Sequence, residues 1–232
     1  VVLPACGIWQ TYRLNDQYGA PDPGRFDEPA RARLPGAEVA PSSGQWQRAQ
    51  AVLESRCAVC HGCYDAPCQL NLTSWDGVTR GASRTPVYDG ARLFAGQTSR
   101  LFEDALKASE WRAKGFHPVL NEREDAAAPN LEASLMAKML QLKHRHPGPL
   151  DGLLEPGFAI GTEASYQCPT LETFDCYVDA FPEGGMPYGL PALTGEEQAE
   201  LLAWLRDGAP YEPPGVLAPA VLASVADWER FF

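Results

Sequence analysis

The run Cys57-Ala58-Val59-Cys60-His61 constrains this chain more than any other stretch. Two thiols three positions apart on a turn of helix can each reach one vinyl group of a porphyrin. The histidine that follows then lies under the ring and offers an imidazole to the iron. C-x-x-C-H is the attachment signature of a c-type haem. Three other chemistries compete for the same residues. Cys57, Cys60, Cys63 and Cys68 nearly reproduce the C-x-x-C-x-x-C-x-x-x-C-P run of bacterial iron–sulfur proteins, but the last gap is one residue too long and Pro67 precedes Cys68. Thiolates and imidazole also suit zinc. A disulfide or a thioredoxin-type dithiol is the third option, although no βαβ pattern surrounds the motif.

A second signature favours haem. Gly184-Gly185-Met186-Pro187 has no periodicity and lies just before a strongly marked helix. Thr194 and Glu197 form a capping box, Leu201, Leu202, Trp204 and Leu205 supply an apolar stripe, and Gly208 followed by Pro210 marks the stop. Upstream, Trp46, Ala49, Val52 and Leu53 repeat at helical spacing over Ser43 to Arg56 and lead into Cys57. A helix feeding C-x-x-C-H, a Met-Pro loop and a closing helix resemble the class I cytochrome c domain. By that resemblance Met186 is the distal iron ligand opposite His61, a soft thioether that favours ferrous iron. Methionine also serves as core filler, the role expected of Met136 and Met139 beside Leu131, Leu135 and Leu142. His117, His144 and His146 are the rival ligands. The last two lie among Lys143 and Arg145 at a helix end, where cations complement the helix dipole.

The expected fold is therefore all-α, a class I cytochrome c-like haem domain with a large loop and helix insertion between the C-x-x-C-H helix and the methionine loop. The insertion is long: 124 residues, 62 through 185, separate His61 from Met186. Three regions follow: an extended lead-in over 1–41, the haem domain over 42–209, and a Pro-rich linker with the start of a further helical region over 210–232. Within the insertion, helices are expected from residue 98 or 99 to about Lys114 with Leu101, Phe102, Ala105 and Leu106 inward, from Leu131 to about His144 behind an Asn130 cap, and after Thr170. Residues 147–167 read as loop.

A net charge of −11 argues against nucleic acid, whose phosphates would be repelled. The scattered acidic residues read as solvated surface. Seven cysteines beside a thioether-attached haem fit an oxidising compartment. Two disulfides among Cys63, Cys68, Cys168 and Cys176 would leave Cys6 over, and the spacing does not choose among the three pairings. Leu3-Pro4-Ala5-Cys6 faintly resembles a lipoprotein cleavage box. No run is long and apolar enough to span a membrane.

The residues after the haem motif carry a wider resemblance. Cys57 through Leu70, then Arg80-Gly81-Ala82-Ser83, Val87-Tyr88-Asp89-Gly90, Arg100-Leu101-Phe102, Trp111 through Phe116 and Gly185-Met186-Pro187 form an ordered set. It is similar to the haem-bearing N-terminal part of the bacterial fatty acid cis/trans isomerases, from about residue 45 to 232. The resemblance implies a periplasmic enzyme with one covalent haem c, held by Cys57, Cys60 and His61. Its substrates would be unsaturated fatty acids at or near the membrane, converted from cis to trans as an adaptation to membrane stress. It also implies a longer polypeptide, whose C-terminal region is this chain's partner and whose absence would leave the fragment inactive. In the implied chemistry ferric haem draws electron density from the double bond, the carbons rotate and the density returns. If Met186 fills the sixth position the alkene cannot touch iron, so Met186 is labile or transfer passes through the haem edge. Trp111, Phe116 and Tyr88 could line an acyl channel but read better as core. The alternative function is an electron-transfer module without isomerase activity.

Overall fold

The computed structural model describes residues 3–27, 44–62, 66–85, 99–148 and 168–211. In chain order the helices are α1 (Leu3–Tyr18), α2 (Gln45–Arg56), α3 (Ala58–His61), α4 (Trp75–Arg80), α5 (Ala108–Ala113), α6 (Ala127–Glu132), α7 (Leu135–Arg145), α8 (Phe174–Ala180) and α9 (Gly195–Arg206), with 3-10 turns at Pro67–Gln69 and Leu171–Thr173. Among the described residues there are no strands, only isolated bridges at Ala82–His117 and Leu101–Ala105.

The centre of the molecule is the contact of α2 with α9. Trp46, Ala49 and Leu53 form one buried stripe on α2, and Leu201, Trp204 and Leu205 one on α9. Trp46 and Trp204 meet with ring centroids 5.5 Å apart, and Arg48 pairs with Glu200 at 2.9 Å on the solvent side. The start of α9 is set by its capping box: the Thr194 N–H donates to the Glu197 carboxylate at 2.8 Å, and the Glu197 N–H donates to the Thr194 hydroxyl at 3.2 Å. Gly208, at φ 87°, ends the helix in the left-handed region. Trp204 is fully buried, and its indole N–H donates to the Pro210 carbonyl at 3.0 Å. Trp204→Ala is expected to cost about 3–5 kcal/mol by chemical denaturation, because it opens a cavity where both stripes meet.

The expected class I cytochrome c-like haem domain with an inserted segment is corrected here to an all-α fold without that assignment. Among the described residues no group of three or more His, Cys, Asp or Glu side chains could hold a metal ion. The segment between His61 and Met186 is also not an appendage. Trp75 and Val78 of α4 and Leu135, Leu140 and Leu142 of α7 are buried in the same cluster as Trp46 and Trp204. More than half of the buried residues of that cluster come from the supposed insertion.

Local expectations shifted for physical reasons. The lead-in is helical over Leu3–Tyr18, where Leu14 and Tyr18 are buried against Ala133. The helix expected from residue 98 or 99 to Lys114 is confined to α5. Phe102 takes φ 70°, the Arg100 N–H turns to the Asp104 carboxylate at 2.7 Å, and the Glu110 carboxylate accepts the Leu106 and Lys107 N–H groups at 2.8 and 3.2 Å. Ala105 is buried as expected, but Phe102 and Leu106 are 59% and 71% exposed. The helix expected after Asn130 is split. Asn130 lies inside α6 with its amide donating to Asp125 and the Arg206 carbonyl, and Ser134 caps α7 by accepting the Ala137 N–H at 3.2 Å. The readings at Val221 to Phe232 and over residues 149–167, and those for Tyr88 and the side chains of Cys6 and Cys63, lie outside the described residues.

A buried ion pair ties α5 to the chain after Phe116. Arg112 donates to both oxygens of Glu122, the shortest contact being 2.7 Å, and to the Arg80 and Thr79 carbonyls at 2.7 and 3.0 Å. Glu122 is almost fully buried. Burial pushes its carboxyl up, and Arg112 opposes that shift. Glu122→Leu is expected to cost about 3–5 kcal/mol, since it strands the Arg112 charge, and Arg112→Met combined with Glu122→Leu is expected to recover much of that loss.

Candidate functional site

The cysteine motif sits where α2 gives way to α3. The helical path continues through the junction: the Cys57 N–H donates to the Leu53 carbonyl and the His61 N–H to the Cys57 carbonyl, both at 2.9 Å. Leu53, Cys57 and His61 therefore recur every four residues and share one face. All three line one apolar cavity. Cys60 lies off that face and is exposed, as is Val59. Cys57 and Cys60 are both free thiols.

His61 is buried, and its ring Nδ1 lies 3.3 Å from the Leu70 carbonyl. The Leu72 N–H donates back to the His61 carbonyl at 2.9 Å. A carbonyl on Nδ1 fixes ring orientation and directs Nε2 elsewhere, the usual arrangement behind a metal-bound imidazole. Burial holds the His61 pKa below the ordinary imidazole range, which keeps the ring neutral. Burial also pushes the Cys57 thiol up to about 11, with Arg56 pulling the other way. A thiol so firmly protonated is a poor redox nucleophile, which counts against a dithiol enzyme.

Met186 reaches the same cavity from the loop between α8 and α9. Its backbone N–H donates to the Met139 carbonyl at 3.1 Å. The Tyr177 hydroxyl donates to the Gly184 carbonyl at 2.7 Å, and Gly185 lies directly on the backbone of α7. Met136 and Met139, expected as core filler, also face the cavity. Its remaining walls include Leu70, Leu72, Val119, Leu140 and Leu201.

Two further wall residues are Cys68 and His117. Cys68 is joined to Cys168 across 100 residues with Cα atoms 5.6 Å apart, so one of the pairings left open by the sequence is resolved, and Cys176 is also disulfide-bonded. Cys68 is thereby committed and cannot complete a zinc or iron–sulfur set with Cys57 and Cys60. Cys68 and Gln69 take φ 58° and 49°, and the Arg80 guanidinium donates to the Gln69 carbonyl. His117 is the second. Its backbone pairs with Ala82 in both directions, at 2.8 and 3.0 Å. Burial first, then the Arg112 and Arg84 charges, lower its pKa to about 4. The sequence reading offers it as a rival iron ligand in a loop before Pro118. His144 and His146 are exposed at the end of α7, away from the cavity, and Trp111 packs on Phe116 at 5.0 Å as core.

Cys57, His61 and Met186 thus meet on one cavity with apolar walls, while Cys60 lies off that face.

A model of the family described as fatty acid cis/trans isomerase matches residues 96–232. That span holds His117, Met136, Met139, Cys168 and Met186, and begins after the C-x-x-C-H run. No curated relative and no solved structure matches the chain.

Proposed function

The chain belongs to the fatty acid cis/trans isomerase family, and from that premise we propose that it converts unsaturated fatty acids from cis to trans in the periplasm by means of one covalent haem c. The observation that carries the haem reading is the convergence of Cys57, His61 and Met186 on one apolar cavity. In this reading Cys57 and Cys60 are the thioether tethers, His61 the proximal ligand and Met186 the distal one. The group, when bound, supplies a reversible acceptor of electron density toward which a double bond can lose bond order.

The protein's own contribution is positional. The Leu70 carbonyl orients His61, and α7 sets the height of Met186 through Gly185 and the Met139 carbonyl. The leucine and valine walls keep water from the cavity, which strengthens every electrostatic effect within it. Substrate and product are isomers, so no proton must be gained or lost, and the scarcity of acid and base groups on the walls agrees with that. The Cys68–Cys168 disulfide supports an oxidising compartment.

The test is made with protein from a host that attaches haem covalently. A Soret band that survives acid–acetone extraction, together with trans product from oleate or palmitoleate by gas chromatography, supports the proposal. A colourless protein refutes the haem assignment. A covalent haem with a reversible potential and no isomerisation favours an electron carrier instead.

A further inference from the structure

His117 belongs to the wall of the cavity, with its ring Nε2 inaccessible to water and, among the described residues, without a hydrogen-bond partner. A buried polar nitrogen left unpaired costs about 1–3 kcal/mol. The other ring nitrogen donates to the Pro169 carbonyl, and burial above all keeps the ring neutral. A neutral imidazole that donates from Nδ1 carries a lone pair on Nε2. His117 therefore brings an acceptor to the cavity wall, and no charge. The side chains of Ala82, Val119, Leu135 and Pro169, on the same cavity, hold no donor that could satisfy it.

The ring is built in as His61 is. Each has a backbone carbonyl at Nδ1, Leu70 for His61 and Pro169 for His117, and each is kept neutral by burial on the same cavity. A carbonyl at Nδ1 is the usual support of an imidazole that binds metal through Nε2. The frame behind His117 is also firm. Its backbone pairs with Ala82 in both directions, the Ser83 N–H donates to the Cys68 carbonyl at 2.7 Å, and the Cys68–Cys168 crosslink adjoins Pro169. One cavity thus gathers two carbonyl-supported imidazoles and the Met186 thioether. Those are three axial donors, and a haem iron has two axial positions.

We propose that His117 is an alternative sixth ligand, exchanging with Met186 on the iron through Nε2. The inference rests on the haem reading above and goes beyond it by assigning the unpaired nitrogen. Both donors are neutral, so the exchange changes no charge on the protein. It does change the iron: a thioether opposite imidazole raises the potential, and a second imidazole in its place lowers it. It also keeps the sixth position filled when Met186 leaves.

Met186→Ala in the full-length holoprotein is the test. Its ferric spectrum is expected to lose the methionine-ligation band and yet stay low-spin, with the electron paramagnetic resonance of two imidazoles, and its midpoint potential to fall. Met186→Ala with His117→Leu is then high-spin, and azide binds its ferric iron about tenfold more tightly than in Met186→Ala alone, because no internal ligand competes. Circular dichroism checks the fold. If the leucine variant does not fold, Met186→Ala with His117→Met takes its place and is expected to regain the methionine band. A Met186→Ala protein that is high-spin, or that keeps a methionine band through Met136 or Met139, overturns the exchange while covalent haem and His61 stand. A wild-type protein without covalent haem overturns the haem reading itself, and this inference with it.

Discussion

Cys57→Ser combined with Cys60→Ser is expected to remove covalent haem and reduce isomerisation to the uncatalysed background while leaving the protein folded. Both thiols are free, Cys60 is exposed, and Cys57 is half-buried against the core where a serine is nearly isosteric, so no crosslink is lost and the packing changes little. Substitutions of this kind shift stability by about 1 kcal/mol or less. His61→Ala acts differently. It leaves both tethers but takes away a buried ring and its contact with the Leu70 carbonyl, so haem stays attached with altered spectra. Denaturing gels stained for haem separate the two cases, and circular dichroism checks the fold. A double serine variant that still stains, or that still yields trans product at the wild-type rate, contradicts the assigned tethers.

Gly185→Ala is expected to be the most damaging single methyl addition near the cavity. A Cβ at that position would lie 2.5 Å from Lys143 Cα and 2.8 Å from the Leu142 carbonyl carbon, both in the backbone of α7. A helix backbone cannot yield as a side-chain tip can, so the loop must lift away and carry Met186 with it. Overpacking of this kind costs about 1–3 kcal/mol, which for a domain of this size corresponds to a fall in Tm of roughly 2–12 °C. The ferric spectrum should lose its methionine-ligation band in the same variant. Gly195→Ala, where a Cβ meets nothing within 4 Å, is the control and is expected to be neutral or slightly stabilising. A Gly185→Ala protein with wild-type Tm and spectrum would show that α7 does not set the height of Met186.

What the sequence disclosed was what is encoded locally. The capping box at Thr194, the stop at Gly208 and the apolar stripes of α2 and α9 depend on residues within a turn or two of one another, and each formed as expected. Within C-x-x-C-H, Cys57 and His61 share a face and Cys60 lies off it. The failures were contests between local pattern and side-chain capture of the backbone. Asp104 and Glu110 drew N–H groups out of the helix expected before α5, and Ser134 broke the one expected after Asn130. The lead-in became helical because Leu14 and Tyr18 found a buried partner far along the chain, which spacing does not reveal. The supposed insertion proved to be core for the same reason. The surroundings of His117 and the choice of Cys168 as the partner of Cys68 stayed open because they come from segments remote in sequence. Only folding brings residue 82 beside 117 and residue 68 beside 168.

The most direct measurement of the central claim is the yield of trans fatty acid against covalent haem content, across preparations of the full-length protein loaded to different extents. Haem-dependent isomerisation predicts a straight line through the origin, with no trans product from chains that carry no haem. Conversion that is constant across the series, or that persists in haem-free protein, would contradict the account.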